Sequence, residues 1–408
     1  MEIGGISVAL CTAARRGKLA VAMPRIVCAD DLPCAREAFS TLGEPVLRRD
    51  LAITAADLAD ADALVVRSGV RVNAALLAGS RVKFVGTATI GYDHLDARWL
   101  ERSGIRWVSA PGCNANSVAE WLLAALFALA RRGGFRLAGK TLGVIGHGNV
   151  GRRVEARARA IGLRVLRNDP PRARESGDPA YRPLEEVLAA SDFVTLHVPL
   201  EREGADPTHH LADERFFAMR KPGAVFVNAA RGAIVKTSAL LAAMERGIVR
   251  HAVLDTWEDE PACRAEILQR ADLGAAHIAG HSYEGKVMGT AMVYRAACDF
   301  FGVASSWSPE THLAADLPGH PARLLRPSPA ADAEAVVAEA VLAACDIERD
   351  DAAFRGAFSP DAEVRARNFR ALRKTYPVRR EFAWHTVETR GLSSEARRGL
   401  RDLGFHLR

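Results

Sequence analysis

Lys140 to Gly151 reads KTLGVIGHGNVG, a short apolar strand running straight into a G-x-G-x-x-G turn. That spacing meets the physical demands of a dinucleotide pyrophosphate. Gly146 permits the tight turn after the strand Leu142 to Ile145, Gly148 lets the backbone approach the pyrophosphate, and Gly151 lets the next helix pack closely on the sheet. Asn149 and Val150 open that helix, whose free N–H groups and partial positive charge face the phosphates. A glycine triplet alone is weak evidence, because glycine-rich turns recur in many folds. The continuation strengthens it: a helical stretch, a second strand from Leu163 to Arg167, then Asp169, eighteen residues beyond Gly151. An acid there accepts hydrogen bonds from the adenosine ribose hydroxyls and repels a 2′-phosphate, which favours NAD over NADP. The competing reading of Asp169 is a turn residue before Pro170 and Pro171, and Arg167, Arg172 and Arg174 lie near enough in sequence to weaken the choice of cofactor.

At 408 residues the chain is long enough for two or three domains, and its 49% hydrophobic content can fill their cores. The net charge of +6 suits an anionic small molecule, but the arginines are spread along the chain rather than gathered in a stripe, so nucleic acid is not an expected partner. Seven cysteines with no paired C-x-x-C spacing argue for a reduced, cytoplasmic protein without a disulfide framework or a metal site. The longest apolar run, Trp121 to Ala130, falls short of the roughly 18 residues of a membrane span and is expected to be a buried helix.

Residues 1–22 carry Arg15, Arg16 and Lys18 after a modestly apolar start, the reverse of a signal peptide, and are expected to be a disordered extension; translation starts at Met1 or Met23. From Met23 the chain alternates strands (Ile26–Cys28, Ala63–Val66, Phe84–Thr87, Trp107–Ser109) with helices around Ala35–Leu42, after Asn73 and near Ala97–Ser103, the pattern of a parallel α/β domain. Ser117 and Glu120 form a capping box at the start of a helix reaching Ala130, which crosses to the glycine-rich strand. Alternation resumes through Phe193–Val198, Ala224–Asn228, Ala252–Asp255 and Leu273–Ala276. Two α/β lobes with a cleft between them follow, with boundaries at 23–117 plus about 290–306 for the first and 118–289 for the dinucleotide lobe.

Ligands of open α/β sheets sit at strand ends, and three segments there carry chemistry: VNAARGAIV around Arg231, LDTWEDEP around Glu260 and AHIAGHSYEGK around His277. Oxidising an alcohol by hydride transfer needs a base for the hydroxyl proton, a cation for a substrate carboxylate and a nicotinamide held against the reacting carbon. His277, Arg231 and the NAD site supply these. Glu260 can bond the far nitrogen of His277 and fix its tautomer, and Asp255 can receive the nicotinamide carboxamide. Taken singly each has a bland alternative: a solvated loop cation, a surface histidine, the first acid of a helix. Their joint occurrence at strand ends after a dinucleotide turn favours catalysis.

In the order GHGNVG, Asp169, HVPL, NAARG, LDTWEDEP and HIAG the chain resembles the D-isomer-specific 2-hydroxyacid dehydrogenase family. The resemblance implies two Rossmann-like or flavodoxin-like parallel-sheet lobes, NAD as cofactor, and Arg231, Glu260 and His277 as the catalytic set. Local segments (RSGVRVNAALLAG, TATIGYDHLD, APGCNANSVAEW, NDPPRA, DIERDDAAFR) point within the family to an enzyme whose 2-hydroxy acid carries a phosphate. By that resemblance Ser68 and Thr89 contact substrate, Asp169 and Asp255 the cofactor, and Gly280 its nicotinamide end. His281 replaces a tyrosine and Lys236 an acid; His281 can still donate to substrate, but adds a second titrating group beside His277. Arg67, Arg71 and Arg349 are the phosphate candidates, since a guanidinium donates two parallel hydrogen bonds. A phosphoglycerate or hydroxypyruvate type of dehydrogenase and a non-catalytic NAD(H) sensor are the alternatives.

Beyond Val303 a Pro-, Ser- and Ala-rich arm leads to a helical run, Ala333–Ala344, and a small α+β segment, together 307–408. The resemblance makes this a homodimerisation domain, and Val337, Val341 and Ala344 form an apolar face suited to it. Arg373, Lys374, Arg379 and Arg380 are expected to be a solvated face.

Overall fold

The computed structural model describes residues 23–408 except 315, 316, 318, 320, 330 and 331. The expected extension over 1–22 and parts of the arm before Ala333 lie outside the described residues.

The first lobe is built on β1 (Arg25–Ala29), β2 (Glu44–Arg48), β3 (Ala63–Val66), β4 (Phe84–Thr87) and β5 (Arg106–Val108), in the order β2-β1-β3-β4-β5 with every neighbour parallel. Helical crossovers cover both faces, so the inner strands are continuous apolar runs such as ALVV rather than alternating ones. The strand β2 has no counterpart in the pattern reading. EPVLR is a half-exposed edge strand containing Pro45, and a proline is tolerated only where the ladder donor is not needed.

The second lobe holds β6 (Thr141–Ile145), β7 (Arg164–Asn168), β8 (Phe193–Leu196), β9 (Ala224–Asn228), β10 (Val249–Leu254) and β11 (Leu273–Gly274), in the order β11-β10-β9-β8-β6-β7 and parallel throughout. The chain leaves β6 towards β7 and returns to β8 on the other side. Strand order therefore reverses beside β6, at the place where open α/β sheets bind ligands.

Two long helices join the lobes. The first, Ala115–Gly133, is buried over its whole circumference from Ser117 to Ala130, as suits a helix wrapped by protein on every side. The expected capping box does not form. The helix starts two residues earlier, and Ser117 Oγ lies 2.5 Å from Ser282 Oγ and donates to Glu381 at 3.0 Å, while Glu120 faces Arg157 at 3.3 Å. These long-range partners outcompete the local cap. The second helix, Tyr283–Phe301, returns to the first lobe, where Val293, Tyr294, Ala297 and Cys298 enter its core.

The tail adds the helices Ala333–Ala344, Ile347–Gly356, Ala362–Lys374 and Ser394–Asp402 and a parallel sheet of β12 (Leu324–Leu325), β13 (Thr386–Val387) and β14 (His406–Leu407). Val337, Val341 and Ala344 are buried within the chain, in one core with Trp121–Ala130 and Leu400. At about 1.5–3 kcal/mol for a fully buried aliphatic side chain, this face fixes the tail on its own chain and is not a free pairing surface. Arg379 and Arg380 also correct the expectation of a solvated face: they are only 8% and 3% exposed, because acids and carbonyls of both long helices receive them.

Candidate active site

The glycine turn after β6 has the shape its spacing demands. Gly146 has φ +88°, and a Cβ there would lie 2.6 Å from the His197 carbonyl; a Cβ on Gly151 would lie 2.1 Å from the Gly146 oxygen. A Cβ on Gly148 would meet nothing within 4 Å. Packing thus requires two of the glycines, while the third keeps open the approach that a pyrophosphate needs, so the residues present fit NAD. Asn149 starts the helix Asn149–Ala160 with its side chain against Gly112, and Val150 packs on the core beneath.

Asp169 sits beside this turn at the end of β7. One carboxylate oxygen accepts the His147 N–H at 2.7 Å, and the other caps the Pro170–Ser176 helix through the Arg172 N–H at 3.1 Å. Asp169 is thus the helix-capping residue of the turn reading, placed beside the glycine turn. Of the nearby arginines, Arg174 is held by Asp206, Arg167 lies 3.5 Å from Asp178, and Arg172 is 3.8 Å from Asp169 itself. Most of the charge that weakened the choice of cofactor is met by other acids.

At the far end of the sheet His277 and Glu260 meet, Nδ1 to Oε1 at 2.5 Å, each about a quarter exposed. The Trp257 N–H donates to the other Glu260 oxygen at 3.1 Å. Burial pushes the Glu260 carboxyl up, but His277 and these hydrogen bonds outweigh it and hold it below the ordinary carboxylate range. The pairing leaves Nε2 as the ring nitrogen available to a substrate. His277 has φ +55°, a left-handed conformation that costs a residue other than glycine about 1–2 kcal/mol. Asp255, 1% exposed at the end of β10, holds it there: its carbonyl accepts the His277 N–H at 2.8 Å, and its carboxylate oxygens accept those of Ile278 and Ala279 at 2.7 and 3.0 Å. Burial raises the Asp255 carboxyl above its usual range, with His277 and the two N–H groups opposing. The sequence pointed to Asp255 as a cofactor contact; the structure also makes it the brace of the histidine turn.

Arg231 follows β9. Its Nε lies 3.0 Å from Asp93 Oδ2, and its guanidinium lies against Gly91, where a Cβ would come within 1.5 Å of it. Asp93 and Gly91 belong to the loop after β4 of the first lobe, so this contact spans the cleft. Thr89, in the same loop, bonds Thr87 Oγ1 at 2.7 Å and the Gly91 carbonyl at 2.8 Å; Ser68, after β3, is exposed. Gly280 lies against Asn114 at the start of the first long helix, 2.2 Å from where a Cβ would sit. His281 is held well below its ordinary value, first by burial and then by Lys286, Arg373, Arg67 and His277. It stays neutral near neutral pH. Lys236 pairs with Glu214 at 2.8 Å on the surface and touches none of these residues.

Sequence reasoning missed the polar network that ties the tail to this site. Arg379 Nη2 donates to the carbonyls of Ser117 and Ala279 at 2.6 and 2.7 Å, Glu381 accepts from Ser117 and Ser282, and Arg380 pairs with Glu284. The arrangement can take a proton at His277, hold a carboxylate at Arg231 and seat a dinucleotide. Among the described residues no group of His, Cys, Asp and Glu could hold a metal ion.

Residues 115–279 match the family model described as D-isomer specific 2-hydroxyacid dehydrogenase, NAD binding domain. Erythronate-4-phosphate dehydrogenase of Klebsiella pneumoniae is 41% identical over 382 residues, covering 94% of this chain and 98% of the relative. The chain belongs to the D-isomer-specific 2-hydroxyacid dehydrogenase family. The Escherichia coli erythronate-4-phosphate dehydrogenase is 42% identical over 88% of this chain and 92% of its own. Residues 317–404 match a domain of unknown function. Among solved structures, D-lactate dehydrogenase from Aquifex aeolicus in complex with NAD and lactic acid is 26% identical with a TM-score of 0.55, and covers 68% of this chain and 95% of its own. NAD-bound 3-phosphoglycerate dehydrogenase of Entamoeba histolytica shares the fold, with a TM-score of 0.60 over 69% of this chain and 96% of its own. As a member of this dehydrogenase family the chain is an NAD-dependent oxidoreductase built on two Rossmann-like sheets.

Proposed function

We propose that the chain oxidises C2 of 4-phospho-D-erythronate to 3-hydroxy-2-oxo-4-phosphooxybutanoate, a step of pyridoxal 5′-phosphate synthesis. The observation that carries this reading is the likeness to erythronate-4-phosphate dehydrogenases over 94% of the chain, tail included, where the lactate and phosphoglycerate enzymes cover 68% and 69%.

His277 Nε2 takes the C2 hydroxyl proton, and Glu260 on Nδ1 holds the tautomer and stabilises the imidazolium that forms. Arg231 holds the substrate carboxylate and the carbonyl oxygen as it develops. Asp255 keeps the histidine turn in its left-handed conformation. When bound, NAD accepts the hydride from C2, so the two electrons leave on the cofactor and the proton on His277. Ser68, Thr89 and His281 line the substrate side; Asp169 and Gly280 mark the two ends of the cofactor.

The proposal extends to a cytoplasmic homodimer. Among the described residues six cysteines are free, in keeping with a reducing compartment, and no helix is long and apolar enough to cross a membrane. The family resemblance puts the pairing on the tail; sedimentation should give twice the 44.0 kDa chain mass.

The deciding experiment is a single-turnover assay with 4-phosphoerythronate beside 3-phosphoglycerate, following reduced cofactor by absorbance with and without a 2-oxo acid acceptor. Selective reduction with 4-phosphoerythronate is expected. Reduction with 3-phosphoglycerate alone would move the substrate while keeping the reaction, and silence from both in NAD-binding protein would refute the enzyme reading.

A further inference from the structure

Three cations from three elements meet beside His281. Arg67 follows β3 of the first lobe and is buried, its Nε 3.3 Å from Oδ2 of the exposed Asp31. Lys286 stands in the first turn of the Tyr283–Phe301 helix, and Arg373 in the last turn of the Ala362–Lys374 helix of the tail. All three act electrostatically on His281, and Arg67 and Arg373 act on Lys286. Contacts just after Arg373 in sequence bring the tail here: Lys374 Nζ lies 3.2 Å from Asp50 of the first lobe, and the Tyr376 ring packs edge-on to His281 at 5.9 Å. Arg373 also acts on Glu260, so the group adjoins the catalytic pair. The other two candidates from sequence stand apart: Arg71 is exposed, and Arg349 is paired with Asp350 at 3.0 Å.

The group is short of negative charge. Among the described residues neither the Lys286 ammonium nor the Arg373 guanidinium makes an ion pair, Asp31 and Glu260 acting on them only from a distance, and Arg373 Nε and His281 Nδ1 are buried without a hydrogen bond. Buried donors are normally satisfied, and buried charges are normally paired. Only Arg67 is paired, with Asp31; Glu260 is bonded to His277 and Asp50 to Lys374, which leaves two positive charges without a carboxylate of their own. A phosphate monoester near neutral pH carries about that charge in the opposite sign, with three acceptor oxygens for the unsatisfied donors. Burial and the neighbouring guanidinium groups bring Lys286 down to about 8, the response of an ammonium lacking its anion.

We propose that Arg67, Lys286 and Arg373 form the phosphate subsite of the active centre, with the unbonded His281 Nδ1 facing it, and that Arg373 is the tail's contribution to substrate selection. The inference rests on a phosphorylated 2-hydroxy acid being the substrate. It gives the tail a role at the site that shorter members of the family have no means to fill.

The test uses full-length, NAD-loaded protein: wild type, Arg373→Ala, Arg373→Lys and Lys286→Ala. Inorganic phosphate binding is measured by titration calorimetry, and kinetics are measured with 4-phosphoerythronate beside unphosphorylated erythronate. Each alanine variant should weaken phosphate by about tenfold or more, the effect of losing a hydrogen bond between charged groups, and raise KM for 4-phosphoerythronate to match. Turnover should change less than about threefold, and kcat/KM for erythronate hardly at all. Arg373→Lys should recover part of the loss, with NAD affinity and thermal midpoint reporting that each variant is folded. Unchanged phosphate affinity and KM in both alanine variants would overturn the subsite, as would equal losses on both substrates. If substitution abolishes phosphate binding but the wild type oxidises no 4-phosphoerythronate, the subsite stands and the proposed function falls.

Discussion

Within the glycine turn, Gly148 and Gly151 separate binding from folding. Gly151→Ala would force a Cβ to 2.1 Å from the Gly146 oxygen and should lower the thermal midpoint, whereas Gly148→Ala meets no protein atom within 4 Å and should leave the midpoint alone while weakening NAD by about tenfold or more. Calorimetry on both variants checks this; equal NAD affinity in Gly148→Ala and wild type would remove the turn from the cofactor site. His277→Asn should cut turnover by about 10²–10⁴ with NAD affinity kept, and near-normal turnover would dismiss it as the base. Glu260 adds a pH sign. Its carboxyl lies below the ordinary range when folded, so the pair's contribution is present above about 4.5 and is lost only as pH falls through that lowered value. Glu260→Gln should remove that acid-side loss, and an equal loss in the variant would place the titrating group elsewhere. These residues were legible in the sequence because each follows an apolar strand and has a chemical reason to be there. Lys286 and Arg373 were not: a cation within a helix looks solvated until the fold shows what faces it.

Local patterns placed most strands and helices, and failed where a distant partner outbid a near one. Ser117 and Glu120 have the spacing of a capping box, yet both face residues remote in sequence. Nothing within four positions of Ser117 signals Glu381, so the pattern was read as a box that the fold does not form. Glu120 is 2% exposed, and burial first, then Glu381, raises its carboxyl to about 8. A folded value above the unfolded 4.5 means the native state binds the extra proton between them, so the contribution of Glu120 to stability is full below about 4.5 and declines as pH rises to about 8. The thermal midpoint should fall across that window, and Glu120→Gln, which cannot ionise, should flatten the fall. An equally steep fall in the variant would place the titrating group elsewhere in the network. The same interior explains the tail: its apolar face was read correctly as a face, but the helix it covers lies some two hundred positions earlier.

On the scale of the whole molecule, the two lobes were legible because alternating strand and helix patterns fix a parallel sheet, and the glycine turn fixes where the second one begins. The way the lobes and tail meet was not, since Arg231–Asp93, Lys374–Asp50 and Arg379–Ala279 each join residues a hundred or more positions apart. The first of these bears on binding. Arg231 reaches across the cleft to Asp93 at 3.0 Å, and Arg231 holds that acid below its usual range against the effect of burial. A substrate carboxylate approaching Arg231 must share or displace this partner. With Asp93 54% exposed, the pair is worth no more than about 1 kcal/mol, which limits the competition to about fivefold. Asp93→Ala should therefore lower KM for a carboxylate substrate by up to that factor, more at low salt than at high, and leave NAD affinity unchanged. A higher KM, insensitive to salt, would mean instead that Asp93 aims Arg231 at the substrate, and that the contact across the cleft belongs to the working geometry of the enzyme rather than to its resting state.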